Sequence, residues 1–347
     1  MKFIRWLLFP VSQLYVLVTA IRNFLFDIGF YRQDEFPVIV ISVGNLSTGG
    51  TGKTPFVEYL AQLISTHKRV AVLSRGYGRH TKGFVLADDE ATPESIGDEP
   101  FQIYTKFKEA VVVAVCEKRS VGISNLLELK EKPQVILLDD AYQHRWVKRD
   151  LNILLTTFKR PFFRDLVLPT GNLRETRFEA KRADLVVVTK SPVIGSKEKD
   201  FYSRRIHRLS RGANVLFSNI EYGNLKAVFK KESLKSEQVV LLTGIANAEH
   251  FSNYISKTHL VAKHFEYPDH HGFTASELDR LNVKLSENDY PIITTEKDMV
   301  RLLAFQDHEL FKQHALFYLP ISLAFDNTQT LDDQIMNLLT LRKSKSN

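Results

Sequence analysis

The chain has 347 residues, of which 44% are hydrophobic, and a formal net charge of +7. This length and apolar content place it in the globular class and favour two domains. The basic balance points to acidic partners such as nucleotides, nucleic acid or an anionic membrane surface, without choosing among them. Cys116 is the single cysteine, which excludes an intrachain disulfide and a cysteine-based zinc site and fits a reducing compartment.

Residues 1–35 form an apolar segment with interspersed basic residues. A signal peptide cleaved near Ala20 is one interpretation, but Pro10 interrupts the apolar run and the run continues past that site. The segment is also too broken for a membrane span of about 20 apolar residues. We therefore expect a membrane-associated interfacial helix, with a helix packed on the protein's own core as the alternative. The expected lipid contacts are Trp6, Phe9, Leu14, Leu17, Phe24 and Phe26, and the expected head-group contacts are Lys2, Arg5, Arg22 and Arg32.

A glycine-rich turn separates an apolar run over 38–43, typical of a buried parallel strand, from residues 56–64, which have helical periodicity. A phosphate-binding loop requires this context, and a plain turn before a helix is the alternative. Its glycines let the backbone approach an anion, Lys53 adds a positive charge, and Thr54 would ligate magnesium. Ser47 departs from the common pattern, which has glycine at that position. The predicted phosphate contacts are Gly49, Gly50, Thr51, Gly52, Lys53 and Thr54.

Acidic residues are expected beside this loop. The strand predicted over 135–138 ends in Asp139 and Asp140, an arrangement that commonly holds magnesium next to a phosphate-binding loop. The strand predicted over 70–73 ends in glycines and arginines, where open α/β sheets bind ligands. Asp98 follows in a polar loop, where capping of a helix is the ordinary role for a carboxylate. The sequence therefore predicts a magnesium-nucleotide site.

The strand predicted over 185–190 bears on the choice of nucleotide. GTP-binding proteins commonly place Asn/Thr-Lys-x-Asp after such a strand, but Pro192 occupies the last position here. The stretch around Lys297 also fails to match, because no residue separates it from Asp298. Guanine specificity thus lacks its carboxylate, and ATP is favoured.

The predicted fold is α/β, with a P-loop NTPase-like, mostly parallel sheet flanked by helices over 36–190. Residues 191–221 are charged and less periodic, which suggests a connection or lid. A smaller C-terminal α/β domain is predicted over 222–347. Its loop with His270 and His271 lacks the cysteine and histidine partners of a zinc site.

A set of motifs, in this order along the chain, resembles the tetraacyldisaccharide 4′-kinase family of lipid A biosynthesis. The motifs are Gly-Asn-Leu-x-x-Gly-Gly-Thr-Gly-Lys-Thr-Pro, Leu-Ser-Arg-Gly-Tyr-Gly-Arg, Gly-Asp-Glu-Pro, Asp-Asp-Ala-Tyr-Gln-His-Arg, Pro-x-Gly-x-Leu-Arg-Glu, Pro-Asp-His-His and Thr-Glu-Lys-Asp. The resemblance extends from the amino terminus to about Leu303. Ala141, Tyr142 and Asn172 depart from it, since the family has glycine, phenylalanine and most often proline there.

The resemblance implies transfer of the γ-phosphoryl group of ATP to the 4′-hydroxyl of an acylated glucosamine disaccharide 1-phosphate. It implies that Asp98 takes the hydroxyl proton with His270 beside it, and that Lys53 holds the ATP phosphates. The implied magnesium ligands are Thr54, Asp139, Asp140 and Glu175, and the expected substrate contacts are Arg75, Arg79, Arg119, Gln143, His144 and Arg174.

The expected location is the cytoplasmic face of the bacterial inner membrane, with peripheral or monotopic attachment to anionic lipids. We expect a monomer and no nucleic-acid partner. One alternative function is a dimeric switch ATPase of the partition or metallochaperone type, whose loop usually begins with a second lysine where Thr48 stands here. Another is a membrane-associated protein that binds nucleotide without chemistry, although the implied catalytic groups are all present.

Overall fold

The computed structural model describes residues 2–229 and 233–341. Side chains are described for residues 5–229 and 233–340. The strands in chain order are β1 (Ile39–Asn45), β2 (Val70–Ser74), β3 (Val85–Leu86), β4 (Val111–Val115), β5 (Val135–Asp139), β6 (Leu151–Thr157), β7 (Leu185–Thr189), β8 (Asn214–Tyr222), β9 (Lys226–Ala227), β10 (Gln238–Thr243), β11 (Leu260–Glu266), β12 (Ile292–Thr295), β13 (Leu316–Leu319) and β14 (Ile321–Phe325).

The helices are α1 (Lys2–Leu7), α2 (Phe9–Asp27), α3 (Lys53–Ser65), α4 (Pro93–Ile96), α5 (Asp98–Phe107), α6 (Arg119–Glu128), α7 (Ser196–Ser210), α8 (Glu249–Ile255), α9 (Ala275–Leu285), α10 (Glu296–Leu302), α11 (Glu309–Gln313) and α12 (Thr328–Leu341). Short 3₁₀ helices cover Lys108–Ala110, Phe162–Arg164, Arg177–Arg182 and Leu303–Phe305.

The larger sheet has nine strands in the order β14-β8-β7-β6-β1-β5-β2-β4-β3. The strands from β8 to β4 are parallel, and the edge strands β14 and β3 are antiparallel to their neighbours. Strand β1 lies between β5 and β6, with Val43 opposite Asp139. Because parallel strands end at one edge of a sheet, the glycine-rich loop after β1 meets the acidic end of β5 there.

Helices cover both faces of the larger sheet, as the alternation of side chains along a strand requires. On one face, Ile41 and Val43 of β1 pack with Phe56 and Leu60 of α3. On the other face, the side chain of Val40 lies in a second cluster that includes α6. Because β1 is buried on both sides, its residues 39–43 are apolar except for Ser42, with no alternation of apolar and polar residues.

The smaller sheet has five strands in the order β11-β10-β12-β13-β9, all parallel except β9. Leu278 of α9 and Leu310 of α11 pack on one face, and Phe251 of α8 packs on the other. Helix α10 leaves this sheet after β12 and contacts α5 of the larger unit. That contact brings residues of the two units to one site.

The predicted division of the chain differs from the structure in two places. Residues 191–221, predicted as a connection or lid, contain α7 and most of β8, which pairs in parallel with β7. The charged face of α7 conceals its periodicity in the sequence, because only Tyr202, Ile206 and Ser210 are buried. In addition, β14 pairs with β8, and α12 packs into the core of the larger unit through Leu331 and Ile335.

Helix α2 has its polar face inward and its apolar face outward. Ser12, Thr19 and Asn23 are buried, whereas a surface helix of a soluble protein buries apolar residues. The exposed apolar side chains are Phe9, Val11, Leu14, Leu17, Val18, Ile21 and Phe24. By length and composition α2 could cross a membrane, and only 22% of its apolar window is buried. The alternative of a helix packed on the protein's own core therefore does not fit α2, because the apolar side chains named above are exposed rather than packed on that core.

One residue expected on the lipid-facing side lies inside. Phe26 is buried, with its ring 4.9 Å from that of Trp146 and 5.0 Å from the Arg145 guanidinium. The expectation that Phe26 contacts lipid is therefore wrong, because it falls on the same face of α2 as Asn23. Among the expected head-group contacts, Arg32 is exposed, whereas Arg22 is paired within the protein.

Candidate active site

The loop between β1 and α3 is shaped by glycines and tied to β7. Gly49 and Gly52 have φ angles of +101° and +82°, which L residues rarely adopt. Thr189 at the end of β7 donates through Oγ1 to the carbonyl of Thr51 at 2.8 Å, and Lys190 Nζ donates to the carbonyl of Gly50 at 2.8 Å. These bonds fix the backbone of the loop. The N–H of Thr51 donates to the carbonyl of Gly49 at 3.0 Å, whereas the N–H groups of Gly49, Gly50 and Gly52 make no hydrogen bond with the described residues and remain for an anion.

The start of α3 adds further donors and a charge. Phe56 makes the first bond of the helix, to the carbonyl of Gly52, so the N–H groups of Lys53 and Thr54 precede it. Lys53 Nζ lies 3.7 Å from Asp140 Oδ1. The ammonium group is therefore at the edge where β1 and β5 end, and phosphate groups bound to the loop would lie beside it.

Asp139 is a buried carboxylate with an unused oxygen. Ser74 donates to its Oδ2 at 3.2 Å, and its Oδ1 has no hydrogen-bond partner among the described residues. Burial, followed by the charge of Asp140, raises the pKa of Asp139 to about 6, although Lys53 opposes the shift. A buried, unpartnered carboxylate oxygen is a natural place for a cation.

Asp140 lies at the same edge with a φ of +46°. Arg174 Nη1 donates to both of its carboxylate oxygens, at 3.0 and 3.1 Å. The Thr54 hydroxyl has no hydrogen bond among the described residues. The unused oxygen of Asp139, the Asp140 carboxylate and the Thr54 hydroxyl fit Mg²⁺, because this ion binds through one or two carboxylates plus phosphate oxygens. The part of the chain that the structure describes has no cluster of three or more His, Cys, Asp or Glu side chains suited to a metal.

Glu175 is held away from these acids by its own partners. Arg22 Nη2 and Asn23 Nδ2, both on α2, donate to its Oε1 at 2.5 and 3.1 Å, and Arg182 contacts its Oε2. The side chain is buried, and no hydrogen bond in the described residues connects it with Asp139. In this structure Glu175 anchors α2, and its role as a magnesium ligand stays a prediction.

Asp98 and His270 come together from the two units. Asp98 begins α5, and its side chain does not cap that helix, in contrast to the ordinary role of a carboxylate in such a loop. His270, at a φ of +60° in the loop after β11, places Nδ1 3.4 Å from Asp98 Oδ2. Lys297 Nζ lies 3.1 Å from His270 Nε2. If Lys297 donates to Nε2, the neutral ring donates from Nδ1 to Asp98.

Arg301 of α10 contacts the same carboxylate and was not singled out from the sequence. It donates to Asp98 Oδ2 from Nη2 at 2.6 Å and from Nε at 3.0 Å. Burial would raise the pKa of Asp98, but Arg301, with Lys297 and His270, lowers it overall. The carboxylate is therefore ionised at neutral pH. A sequence signal existed, because Arg301 lies four residues after Lys297 and so shares its helix face.

The buried Arg119 and the half-buried His144 form a pair near Asp139. The Arg119 guanidinium donates to the carbonyls of Cys116 at 2.6 Å and Asp139 at 3.2 Å, and burial lowers its pKa to about 10. The backbone N–H of Arg119 donates to His144 Nε2 at 3.2 Å. Burial, then Arg119 and the neighbouring arginines, lowers the pKa of His144 to about 4, so the ring is neutral.

The remaining expected substrate contacts differ in their availability. Arg75 is exposed and makes no hydrogen bond or ion pair with the described residues. Arg79 is bound to Glu117 Oε1 at 2.6 Å. Gln143 Nε2 donates to the carbonyl of Asn45 at 2.8 Å, and Arg174 is paired with Asp140.

The loop of residues 168–175, here named the support loop, connects α2 with the phosphate-binding loop. On the α2 side, Ser12 Oγ lies 2.7 Å from Thr170 Oγ1, and the Tyr15 hydroxyl donates to the carbonyl of Arg174 at 3.0 Å. Further contacts on this side come from Arg22 and Asn23 to Glu175, and from Arg5 of α1, whose Nε donates to the carbonyl of Pro169 at 3.0 Å.

On its other side, the support loop bonds to the backbone after β1. The N–H of Thr48 donates to the carbonyl of Asn172 at 2.8 Å, and the N–H of Arg174 donates to the carbonyl of Leu46 at 2.6 Å. The Arg174 side chain then reaches Asp140. Hydrogen bonds thus connect the polar face of α2 to the support loop, and the support loop to the sheet edge where β1 and β5 end.

Comparison with known proteins gives a consistent match over almost the whole chain. A family model described as LpxK, tetraacyldisaccharide-1-P 4′-kinase, matches residues 4–340. The tetraacyldisaccharide 4′-kinase of Flavobacterium johnsoniae is 48% identical over 334 residues, which cover 95% of each chain. That of Flavobacterium psychrophilum is 44% identical and covers 97% of each chain. The crystal structure of LpxK from Aquifex aeolicus in complex with ATP matches with a TM-score of 0.77 and 32% identity, over 97% of this chain and 99% of that one.

Proposed function

Because the chain belongs to the tetraacyldisaccharide 4′-kinase family, a family of lipid A biosynthesis, we propose how its residues carry out the kinase reaction. The γ-phosphoryl group of ATP would pass to the 4′-hydroxyl of a tetraacyldisaccharide 1-phosphate. The observation that carries the site assignment is the convergence of Lys53, Asp139 and Asp140 at one sheet edge. The dimeric switch ATPase is not favoured by the comparisons.

The phosphates of ATP would lie on the N–H groups of Gly49 to Thr54, with Lys53 reaching the β- and γ-phosphates. The ATP complex of the Aquifex aeolicus protein supports this choice of nucleotide. Thr54, Asp139 and Asp140 would hold Mg²⁺ directly or through water. When bound, the ion would neutralise negative charge on the phosphates.

Asp98 would act as the general base. Its Oδ2 takes the bonds from Arg301 and His270, and its Oδ1 has no hydrogen bond among the described residues. Oδ1 would accept the proton of the 4′-hydroxyl while that oxygen bonds to the γ-phosphorus, the bond from phosphorus to the bridging oxygen breaks, and ADP leaves. His270 would keep the carboxylate oriented.

The acceptor's 1-phosphate needs cationic partners. Arg75 could bind it without giving up an ion pair, and its charge is close enough to lower the pKa of both Arg119 and His144. Arg79 and Arg174 would each have to leave a carboxylate, or share it, to bind the same phosphate. Gln143 would act through its backbone contact after β1.

The outward apolar face of α2 would rest in anionic lipid at the cytoplasmic face of the inner membrane, where both ATP and an acylated substrate are available. Attachment would be peripheral or monotopic rather than spanning, because Ser12, Tyr15 and Asn23 bind the rest of the protein. We propose a monomer that does not bind nucleic acid.

The test is to incubate the protein with γ-labelled ATP, magnesium and acylated disaccharide 1-phosphate in detergent. We expect label in the lipid, a loss of about 10²-fold or more in turnover for Asp98→Asn with ATP binding retained, and a loss of both for Lys53→Ala. Label released only as inorganic phosphate would contradict the lipid kinase. Turnover of Asp98→Asn close to that of the unmodified protein would remove Asp98 from the role of base.

A further inference from the structure

We propose that Arg301 is a positioning residue for phosphoryl transfer, which holds the Asp98 carboxylate by one oxygen and leaves the other oxygen for the acceptor hydroxyl. This inference rests on the proposed role of Asp98 as the base. It adds a residue of the smaller unit to the site, on α10, beside the loop that carries His270.

The guanidinium is fixed on both sides. Towards the larger unit, Nε and Nη2 both donate to Oδ2 of Asp98, at 3.0 and 2.6 Å, so that a single carboxylate oxygen takes both bonds. Towards the smaller unit, Nη1 donates to Asp298 Oδ1 at 3.0 Å and to the carbonyl of Gly244 at 3.2 Å. The side chain of Arg301 is almost completely buried.

The group that anchors Arg301 is itself immobile. Asp298 is fully buried, and its Oδ2 accepts from the Gly244 N–H at 2.9 Å and from the Thr295 hydroxyl at 2.7 Å. The position of the Arg301 fork is therefore set by the end of β12 and the start of α10. An arginine held in this way stops the rotation of the Asp98 carboxylate, and misplacement of a reacting group by about 1 Å can cost about 10²-fold in rate.

The charge of Arg301 also keeps Asp98 ionised. The charged and titratable groups around the carboxylate are Arg301 and Lys297 from α10, His270 from the loop after β11, Glu99 beside it on α5, and Tyr77 from the loop after β2, whose ring is 6.4 Å from that of His270. Lys297 Nζ forms an ion pair with Glu99 Oε1 at 3.0 Å and also contacts His270 Nε2. Among the described residues Arg301 is the cation that directly contacts Asp98, so its removal should raise the pKa of that carboxylate.

A neighbouring ion pair provides a matched control. Lys106 of α5 bridges Glu58 of α3 and Glu296 of α10, at 2.6 and 3.1 Å, within the same contact between the units. It has no contact with Asp98 among the described residues. Lys106→Gln therefore weakens the contact between α5 and α10 without removing a group that contacts the Asp98 carboxylate.

The experiment compares Arg301→Gln, Arg301→Lys and Lys106→Gln with the unmodified protein, in detergent, by kcat over about pH 5 to 9, KM for ATP, and thermal unfolding. For Arg301→Gln we expect a kcat about 10²-fold lower, an unchanged KM for ATP, and an acidic limb of kcat that moves up into this pH range, whereas the lowered pKa of Asp98 keeps the limb of the unmodified protein below it. Arg301→Lys retains the positive charge but lacks the two guanidinium donors that bind one carboxylate oxygen. The acidic limb of its pH–kcat profile should therefore match that of the unmodified protein, while its kcat remains low. Lys106→Gln should unfold at a lower temperature with its acidic limb unmoved.

Several results would overturn the inference. One is a normal kcat in Arg301→Gln, and another is full recovery in Arg301→Lys, because charge alone would then suffice. A loss of kcat without movement of the limb, matched by Lys106→Gln, would show a purely structural role. Asp98→Asn, measured in parallel, separates the two proposals: if it is active, the base assignment fails, and if it is inactive while Arg301→Gln is normal, only the role of Arg301 fails.

Discussion

At the scale of single residues, two carboxylates of the site have opposite pKa shifts. Burial, and then Asp140, raises the pKa of Asp139 to about 6. Burial acts in the same direction on Asp98, but Arg301 and its neighbours lower its pKa overall. Asp98 is thus ionised at neutral pH and able to accept a proton. The ionised form of Asp139, in contrast, is destabilised by burial, and a bound cation would stabilise it.

Asp139→Asn should therefore stabilise the protein while it weakens magnesium-dependent ATP binding. A carboxylate with a raised folded-state pKa favours folding below its unfolded value of 3.8, and that contribution is lost as the pH rises through about 6. Relative to the unmodified protein, the free energy of unfolding of Asp139→Asn should increase between about pH 4 and 7, by about 1–3 kcal/mol. Denaturant titrations at both pH values, with ATP binding measured with and without magnesium, check this. An equal difference at both pH values would contradict it.

Local sequence patterns point to some residues of this candidate site and miss others. Lys53, Asp139 and Asp140 follow from local patterns, because a strand and the residues after it are contiguous in the chain. The contact of Arg301 with Asp98 joins positions 203 apart, and no local pattern encodes the approach of α10 to α5. The same reason explains why the ion pairs of Arg79 and Arg174 were not anticipated.

At the scale of elements, α2 and α7 differ in how composition relates to structure. The apolar composition of α2 predicts a surface helix that faces lipid, and most of its apolar side chains are exposed, whereas Phe26 is buried. The charged composition of α7 suggests a connection, although the helix packs against the core through Tyr202 and Ile206. Composition indicates which face meets solvent or lipid, whereas the few buried positions decide whether a helix belongs to the core.

The exposed face of α2 can be tested without removing the helix. Leu14→Gln with Leu17→Gln changes two side chains that are 63% and 55% exposed, and glutamine preserves helix propensity. We expect binding to vesicles that contain anionic lipid to fall by about tenfold or more, with thermal unfolding and activity in detergent unchanged. Val283→Gln is a matched control, because Val283 is an exposed apolar residue on α9. If the double variant and the control sediment with vesicles equally, α2 is not the membrane contact.

At the scale of the whole molecule, the smaller unit is inserted into the larger one. The chain leaves the larger sheet at the end of β8 and returns at the start of β14, and Tyr222 pairs with Ile321 where the two crossings meet. Chain length predicts two domains, but it cannot show that the last strand, β14, and the last helix, α12, belong to the larger, first unit. Helices α5 and α10 provide the other contact, at the site of Asp98 and Arg301.

The Lys106 bridge should contribute to the stability of this arrangement. Glu58 and Glu296 are both buried, burial raises the pKa of Glu58, and Lys106 is the cation that joins them. Lys106→Gln should lower the free energy of unfolding by about 2 kcal/mol at pH 7, and by less at pH 5, where Glu58 can take up a proton. Denaturant titrations at the two pH values measure the difference. A loss that does not depend on pH would contradict the role of unpaired carboxylates.

The support loop changes what a shortened protein can reveal. Deletion of residues 1–25 removes the apolar surface, and it also removes the partners of Thr170, Arg174 and Glu175. The carbonyl of Asn172 in that loop accepts from the N–H of Thr48, next to the glycine-rich turn, and Arg174 is paired with Asp140. An enzyme freed from lipid by truncation would therefore lose part of its ATP site as well, and its inactivity could not be attributed to the missing membrane.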